Sequence, residues 1–516
     1  MRIGFDLDNT IINYGDLFAK AARQLYSDQI CAPCASKEHV KKVVKAKKGN
    51  DGWVRVQAHV YGRLIEEASL YPGFEDFVDE LIKQNHQLII CSHKTVGPVK
   101  DIEFHADFRS AARNFLERSS LASFVKSGLI DIVFCDSLPS KVAEIRRLKC
   151  DYFIDDLQAV VDELSRDAHL VAIHFSPHTV YDSTGLSPSL NWFQISQRVL
   201  DEEKIRGFLK KIPLSSSSVV LRPIETSGLN SSIWTVESGE EVYVVKLYNR
   251  DEYTTHRVSK DCGVSKLLHR YNIQKDGLCV ACDEVVGAGC FRFIHGVEVK
   301  FANEEFLNAA GKFLLNTNKK IPHYELLKIG ESKEACFSAL NLFEQITHRL
   351  DIIDSIDRFR TSDTMSVVKK RLRDLEFNCP AFLSEPVIFS PSDFGTHNAL
   401  ISKKDSYVWL DFEYAGFDSL LKCVCDFCLH PRNQLDVESA KTWLAIVAKG
   451  FKVDQQLLVQ MAREWMPFFA IRWVVIILAG GSRVGSQMHI SEHLTNRLDT
   501  AQKILKNGDV LADGFN

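Results

Sequence analysis

Seven polar side chains in the first third of the sequence have the types and spacing to handle a phosphate. Asp6, Asp8 and Thr10 follow the apolar run MRIGF; Ser92 ends HQLIICS; Lys141 lies in DSLPSKVAEIRRL; Asp155 and Asp156 close CDYFIDD. Several carboxylates together offer the hard oxygen ligands that Mg²⁺ prefers. A carboxylate that attacks a phosphate dianion meets charge repulsion, which a bound metal ion and a lysine relieve. A second set lies further on: Lys246 in VYVVKLY, Asp393 and Asn398 in FSPSDFGTHNALI, and Asp411 and Glu413 in YVWLDFEYAG. Phosphoryl transfer needs mainly positioning and charge neutralisation, and these residue types supply both.

The first set falls where strands end and helices begin. Strand alternation in MRIGFDLDN puts residues 6 and 8 on one side, so two carboxylates converge at the carboxyl end of a strand, where open α/β sheets bind ligands. Asp, Asn and Thr are also good helix caps, which leaves a capped turn as the plain alternative. Strand-loop-helix units recurring through residues 1–175 weigh against it and indicate a doubly wound parallel sheet. Two acids, a hydroxyl, a lysine and two more acids then share one edge.

This order of motifs resembles the haloacid-dehalogenase-like (HAD) phosphohydrolases over roughly residues 1–205. The resemblance implies a Rossmann-like sheet on which Asp6 is the nucleophile that becomes an aspartyl-phosphate and Asp8 the acid/base. It further implies that Thr10, Ser92 and Lys141 bind the phosphoryl group and that Asp155 and Asp156 complete a Mg²⁺ site with Asp6 and Asp8. The helix formers of residues 14–70 (LFAKAARQLY, EHVKKVVKAKK, WVRVQAHVYGRLIEEA) look like the helical cap of that family. Lys41, Lys42, Lys45, Lys47 and Lys48 within it read as a solvated helix face.

Beyond the Ser-rich stretch KKIPLSSSSVV the pattern becomes strand, turn, strand, turn, strand, with Gly228 in the first turn and Gly239 in the second. A Gly-Leu-Asn-Ser-Ser turn (Gly228, Asn230, Ser231) followed by Lys246 on the strand after next is a workable nucleotide cradle. Downstream, NALI and YVWL form a hairpin with an acidic loop on each side. In kinases the catalytic loop runs Asp, four residues, Asn, then a hairpin, then the metal-binding Asp. Asp393 and Asn398 have the first spacing and Asp411 the last position, so the letters Asp-Phe-Gly at 393–395 are coincidental.

The spacing together with WLDFEYAG resembles the aminoglycoside phosphotransferase and choline kinase families over roughly residues 215–500. By that resemblance Asp393 orients the substrate hydroxyl, Asn398 and Asp411 hold Mg²⁺, Lys246 contacts the ATP phosphates, and Tyr414, Trp465 and Trp473 are candidates for the alcohol pocket. Two departures stand out. Pro391-Ser392 replaces the usual His-Gly before the aspartate, and the helix after Lys246 places Val264 where a glutamate partner belongs, with Asp261 about one turn earlier. Lys246 is therefore expected to lack its usual ion pair.

At 516 residues the chain exceeds what one core supports. The sequence predicts a multidomain α/β and α+β protein: a HAD-type Rossmann-like parallel sheet with a helical cap, then a bilobal protein-kinase-like fold. The expected divisions are 1–210 for the HAD-like domain, 211–219 for a linker, 220–300 for the kinase-like N-lobe and 301–516 for the helical C-lobe. A net charge of −4 gives no basic footprint for nucleic acid. The apolar run WVVIILAGG is too short to span a membrane, and the acids by residue 6 leave no room for a signal peptide. A cytoplasmic enzyme is expected, without nucleic acid or membrane partners. Of fourteen cysteines, the Cys-x-x-Cys pairs 31/34, 279/282 and 425/428 have no nearby second pair at finger-like spacing, so reduced buried thiols are expected. The reading is a bifunctional phosphatase and small-molecule kinase, with a phosphate ester and an alcohol as substrates. The two halves would serve different hydroxyls or successive metabolites, since opposed reactions at one position only hydrolyse ATP. The alternative is a regulatory chain that joins an active phosphatase to a nucleotide-binding pseudokinase lobe.

Overall fold

The computed structural model describes residues 1–97, 107–167, 169–177, 190–214, 219–224, 231–249, 254–403, 405–480 and 490–515. The chain forms two compact units, Met1–Leu200 and Asp201–Asn516. Gly228 and Asn230 of the expected nucleotide cradle lie outside the described residues.

In the first unit, β1 (Arg2–Phe5), β2 (Gln87–His93), β3 (Ile130–Cys135), β4 (Tyr152–Asp155) and β5 (Val171–His174) form a parallel sheet in the order β3-β2-β1-β4-β5. A sheet covered on both faces needs near-continuous apolar strands, and β2 buries Leu88, Ile89, Ile90 and Cys91 in succession. Leu88 and Ile90 join Ile3, Phe5, Phe74, Phe77 and Trp192 on one face, while Ile89 and Cys91 meet Val142, Ile145 and Phe153 on the other. Strand order reverses between β1 and β4, and such a switch point opens a crevice at the strands' carboxyl ends. Residues 14–70 carry the helices Leu17–Leu25 and Lys37–Gly62 and a short 3₁₀ turn, Leu64–Glu67. Lys41, Lys42, Lys45, Lys47 and Lys48 are exposed, whereas Val40 and Val44 of the same helix are buried.

The second unit begins with an antiparallel sheet of β6 (Val219–Ile224), β7 (Ser231–Ser238), β8 (Glu241–Tyr248), β9 (Cys279–Asp283) and β10 (Ala288–Arg292), in the order β9-β10-β8-β7-β6. Helix Thr254–Arg270 connects β8 to β9 and packs on the sheet through Val258 and Cys262. The remainder is mostly helical, with two small antiparallel sheets that carry the acidic loops. After β11 (Gly296–Glu298), β12 (Val387–Ser390) pairs with β15 (Gly416–Ser419), and β13 (Ala399–Ser402) pairs with β11 and with β14 (Tyr407–Trp409). The run WVVIILA belongs to helix Gln455–Ala479, which buries Arg472, Val474, Val475 and Leu478. Among the described residues no helix is long and apolar enough to cross a membrane.

Candidate functional site

Each unit brings residues singled out by the sequence together. In the first, the turn after β1 places Asp6 at the β1/β4 switch. Asp6 Oδ1 accepts from Ser92 Oγ (2.9 Å) and from Lys141 Nζ (2.5 Å), and the same ammonium donates to Asp155 Oδ2 (2.6 Å). A local signal sets Lys141: Ser137 caps helix Leu138–Leu148 with a reciprocal capping box and a proline in the first turn, which leaves Lys141 one turn in, facing the strand ends. Carboxylate oxygens of Asp6, Asp155 and Asp156 lie within 4.8 Å of one another. Burial, followed by repulsion from Asp6, pushes the carboxyls of Asp155 and Asp156 well above the usual range. Burial opposes the charge of Lys141, but Asp6 and Asp155 outweigh it and raise its pKa.

β1 ends at Phe5, so strand alternation does not reach Asp8. Asp8 is not among the three grouped acids; it accepts from Lys94 Nζ (2.8 and 2.7 Å) and from the Tyr14 hydroxyl. The Thr10 hydroxyl is engaged with Asp156, accepting from its N–H (3.0 Å) and donating to its carboxylate (3.4 Å). Lys94 is buried and lies over the Tyr61 ring at 4.7 Å. Lys37, on the helix capped by Ser36, has its pKa lowered by burial and raised in part by Asp156 and Asp8. Tyr14, Tyr61 and Lys37 escape a reading by motif because no strand-end signal marks them, and Lys94, though it directly follows β2, stands behind Ser92 at the same strand end.

In the second unit Lys246, on β8, has three acids around it. Its Nζ donates to Asp411 Oδ1 (2.6 Å) and Asp261 Oδ2 (3.2 Å) and stands 3.2 Å from Glu413 Oε2. The expectation that Lys246 lacks an ion pair with the following helix is thus corrected: Asp261 pairs with it, and Val264 is buried in the apolar core. Asp261 also accepts from the Tyr248 hydroxyl (2.6 Å) and from the Phe412 N–H (3.0 Å), so it ties the helix to the acidic loop as well as to the strand. Burial raises Asp411 above its ordinary value against the pull of Lys246. Its backbone is left-handed, with φ of 62°. Ser231 pairs with Tyr248 across the sheet, two residues beyond Lys246.

The loop from β12 to β13 presents Asp393. Asn398 Nδ2 donates to the Asp393 carbonyl (2.9 Å), and Leu410 N–H donates to the Asn398 carbonyl (2.9 Å). The two acidic loops are therefore joined at their bases. His430 Nδ1 accepts from Arg432 N–H (3.1 Å), which leaves Nε2–H to donate to Asp393 Oδ1 at 2.8 Å. His397 Nε2 stands 3.5 Å from the other carboxylate oxygen. Burial alone would raise Asp393, but the two histidines outweigh it and hold the carboxyl far below the usual range.

Sequence order answers why this histidine was missed. The helix Leu420–Leu429 stops at His430 because Pro431 cannot continue it, and the residue before a proline is driven to extended backbone. Gly395 makes room for the stacked rings of His397 and His430, whose centroids are 5.1 Å apart; a Cβ there would lie 2.6 Å from His430 Cε1. Of the aromatic candidates, Trp465 is core and donates to the Ala381 carbonyl (2.8 Å), and Tyr414 lies under Lys333. Trp473 packs edge-on to His430 at 5.1 Å and donates to Asp426 Oδ1 (3.0 Å).

No protein-family model matches the chain. No curated protein sequence matches it either. Solved structures it resembles include an ethanolamine kinase from Plasmodium vivax (15% identity, covering 61% of this chain and 90% of that one, TM-score 0.45). A choline kinase from Streptococcus pneumoniae shows 13% identity over 60% of this chain and 99% of that one, with a TM-score of 0.43. A choline/ethanolamine kinase family protein from Mesorhizobium loti shows 13% identity over 61% of this chain and 98% of that one, with a TM-score of 0.42.

Proposed function

We propose that the chain is bifunctional, with an ATP-dependent small-molecule kinase in residues 201–516 and a Mg²⁺-dependent phosphomonoesterase in residues 1–200. The kinase half is carried by one observation: Lys246 is held between Asp261 and Asp411, and the loop bearing Asp411 is joined at its base to the one bearing Asp393 and Asn398. In this reading Asp393 orients the substrate hydroxyl and takes its proton as the oxygen attacks the γ-phosphorus of ATP, the bond from that phosphorus to the β,γ-bridging oxygen breaks and ADP leaves, while His430 and His397 keep Asp393 ionised and in place. Ser231 and Lys246 face the phosphates, and Gly228 and Asn230, which precede Ser231 in sequence, complete the nucleotide-binding set. The acceptor is a sugar, polyol or amino alcohol.

In the phosphatase half Asp6 attacks phosphorus to form an aspartyl-phosphate as the ester P–O bond breaks. Asp8, positioned by Lys94 and Tyr14, acts first in its protonated form and gives its proton to the leaving alcohol; water then attacks phosphorus and returns a proton to Asp8 as the Asp6–phosphorus bond breaks and inorganic phosphate leaves. Ser92, Lys141 and Thr10 line the phosphoryl position. Both donor sets fit Mg²⁺: Asp6, Asp155 and Asp156 face Lys141 and Lys37 in one site, Asn398 and Asp411 supply hard oxygens in the other, and three carboxylates against two cations in each site leave negative charge for a metal ion to offset. When bound, the ion offsets phosphate charge.

The test offers the purified full chain a panel of phosphate esters and, separately, alcohols with ATP. Phosphate release abolished by Asp6→Asn and ATP-dependent transfer abolished by Asp393→Asn support the two halves independently. Turnover equal to that of the double variant sinks both.

A further inference from the structure

The Cys-x-x-Cys pair 279/282 acquires a third thiol from a distant element. Residues three apart on a regular strand face opposite sides, but the register of β9 against β10 slips between Cys279 and Ala281. That bulge adds one residue and returns Cys282 to the face of Cys279. Helix Thr254–Arg270 lies on this face, and its Cys262 completes a cluster in which the three sulfurs lie within 4.8 Å of one another. Cys282 pairs with Gly289 of β10, and a Cβ at Gly289 would come 3.0 Å from Cys262 Sγ. The space for the cluster thus depends on a missing side chain. Cys262 and Cys279 are buried and Cys282 is exposed, so the cluster is walled on the protein side and open to solvent at one corner.

We propose that Cys262, Cys279 and Cys282 bind a thiophilic divalent cation, Zn²⁺ in kind, with its fourth position open to solvent. Zinc–thiolate bonds of about 2.3 Å set tetrahedral sulfurs roughly 3.8 Å apart, so a small approach of the three side chains suffices. Three thiolates on a dication leave one excess negative charge, which Lys266 offsets with Nζ 3.9 Å from Cys282 Sγ. Carboxylate and imidazole are absent from the trio, and an all-sulfur set selects zinc-like ions over Mg²⁺. The bound ion pins the helix to β9 at Cys262, the residue next to Asp261. On the kinase reading above, the site therefore fixes the partner of Lys246.

The experiment titrates the reduced, metal-free full chain with Co²⁺, whose thiolate complexes absorb through sulfur-to-metal charge transfer. The expected result is one equivalent bound with that absorption, displacement by Zn²⁺, and affinity lowered by at least about tenfold in Cys282→Ser. The exposed Cys379→Ser serves as the control that retains binding, and circular dichroism confirms that both variants fold. Absence of charge-transfer absorption, or its persistence unchanged in Cys282→Ser, overturns the site. Neither outcome depends on kinase activity, so the site can fail while the kinase reading stands, or the reverse.

Discussion

His430→Gln is the substitution that tests most directly whether a residue remote in sequence has taken over the duty of the missing histidine. Glutamine keeps a polar side chain but lacks the rigid ring that the Arg432 N–H orients through Nδ1, so it does not hold an N–H on Asp393. The imidazole contact it removes is 2.8 Å long and ends on a carboxylate; hydrogen bonds to charged groups contribute about 1.5–3 kcal/mol. At about 1.36 kcal/mol per tenfold in rate, complete loss would lower kcat by roughly 10- to 150-fold. His397 stays at 3.5 Å from the second oxygen, so the expected fall is near the lower end, about tenfold. The KM for ATP should hardly move, because Lys246 and its acids make no bond to His430. The pH dependence has a definite sign. Burial favours the protonated Asp393, and the two histidines overcome it, holding the pKa far below its usual value. Removing one histidine raises that pKa, so the acid limb of the rate profile moves toward neutrality and the deficit deepens as pH falls. The assay is ADP release against pH on the substrate identified by the panel, with thermal unfolding as a check on folding. A kcat within about threefold of wild type with an unmoved acid limb would refute the role. So would a change confined to the KM for ATP.

Asp6→Asn should reduce phosphate release by on the order of 1,000-fold or more while leaving ATP turnover intact, measured as inorganic phosphate from the best ester in the panel. Asp261→Asn retains an oxygen for Phe412 N–H but loses the charge facing Lys246; stability should drop by about 1–3 kcal/mol, and ATP should raise the melting temperature less than in wild type. An undiminished ATP-induced shift would count against the Lys246–Asp261 pair. Asp426 sits in a buried network: Lys422 Nζ is 3.0 Å away, Arg472 binds it at 3.1 Å, and Trp473 donates to it. In Asp426→Ala, Lys422 keeps Asp418 and Arg472 keeps Glu334, so the cost should fall at the low end of about 3–5 kcal/mol by urea unfolding at neutral pH. Burial raises the pKa of Asp426, but Arg472 and Lys422 outweigh it and lower the pKa below its ordinary value. Its contribution to stability is thus complete above the unfolded pKa of about 3.9 and is lost as pH falls through the lower folded value. The gap between wild type and Asp426→Ala should therefore narrow only below about pH 4.

What the sequence alone determined is local. Apolar runs of strand length, the acids that end them, the capped start of the Lys141 helix and the Asp393/Asn398/Asp411 spacing all depend on neighbours within one element or one hairpin. Such preferences are written in periodicity and turn chemistry. Alternation holds only within a regular element: β1 stops at Phe5, before Asp6 and Asp8, and the bulge in β9 turns Cys282 to the face of Cys279. The partners that complete each site arrive from afar: His430 lies 37 residues from Asp393, and Lys94 lies 86 from Asp8. Asp261, 15 residues from Lys246, sits on a helix whose rotation is set by how Val258 and Cys262 pack on the sheet. No spacing rule encodes these meetings, because they follow from which apolar faces bury against one another. The charged side chains carried on those faces are brought together as a consequence, and tertiary packing alone decided them.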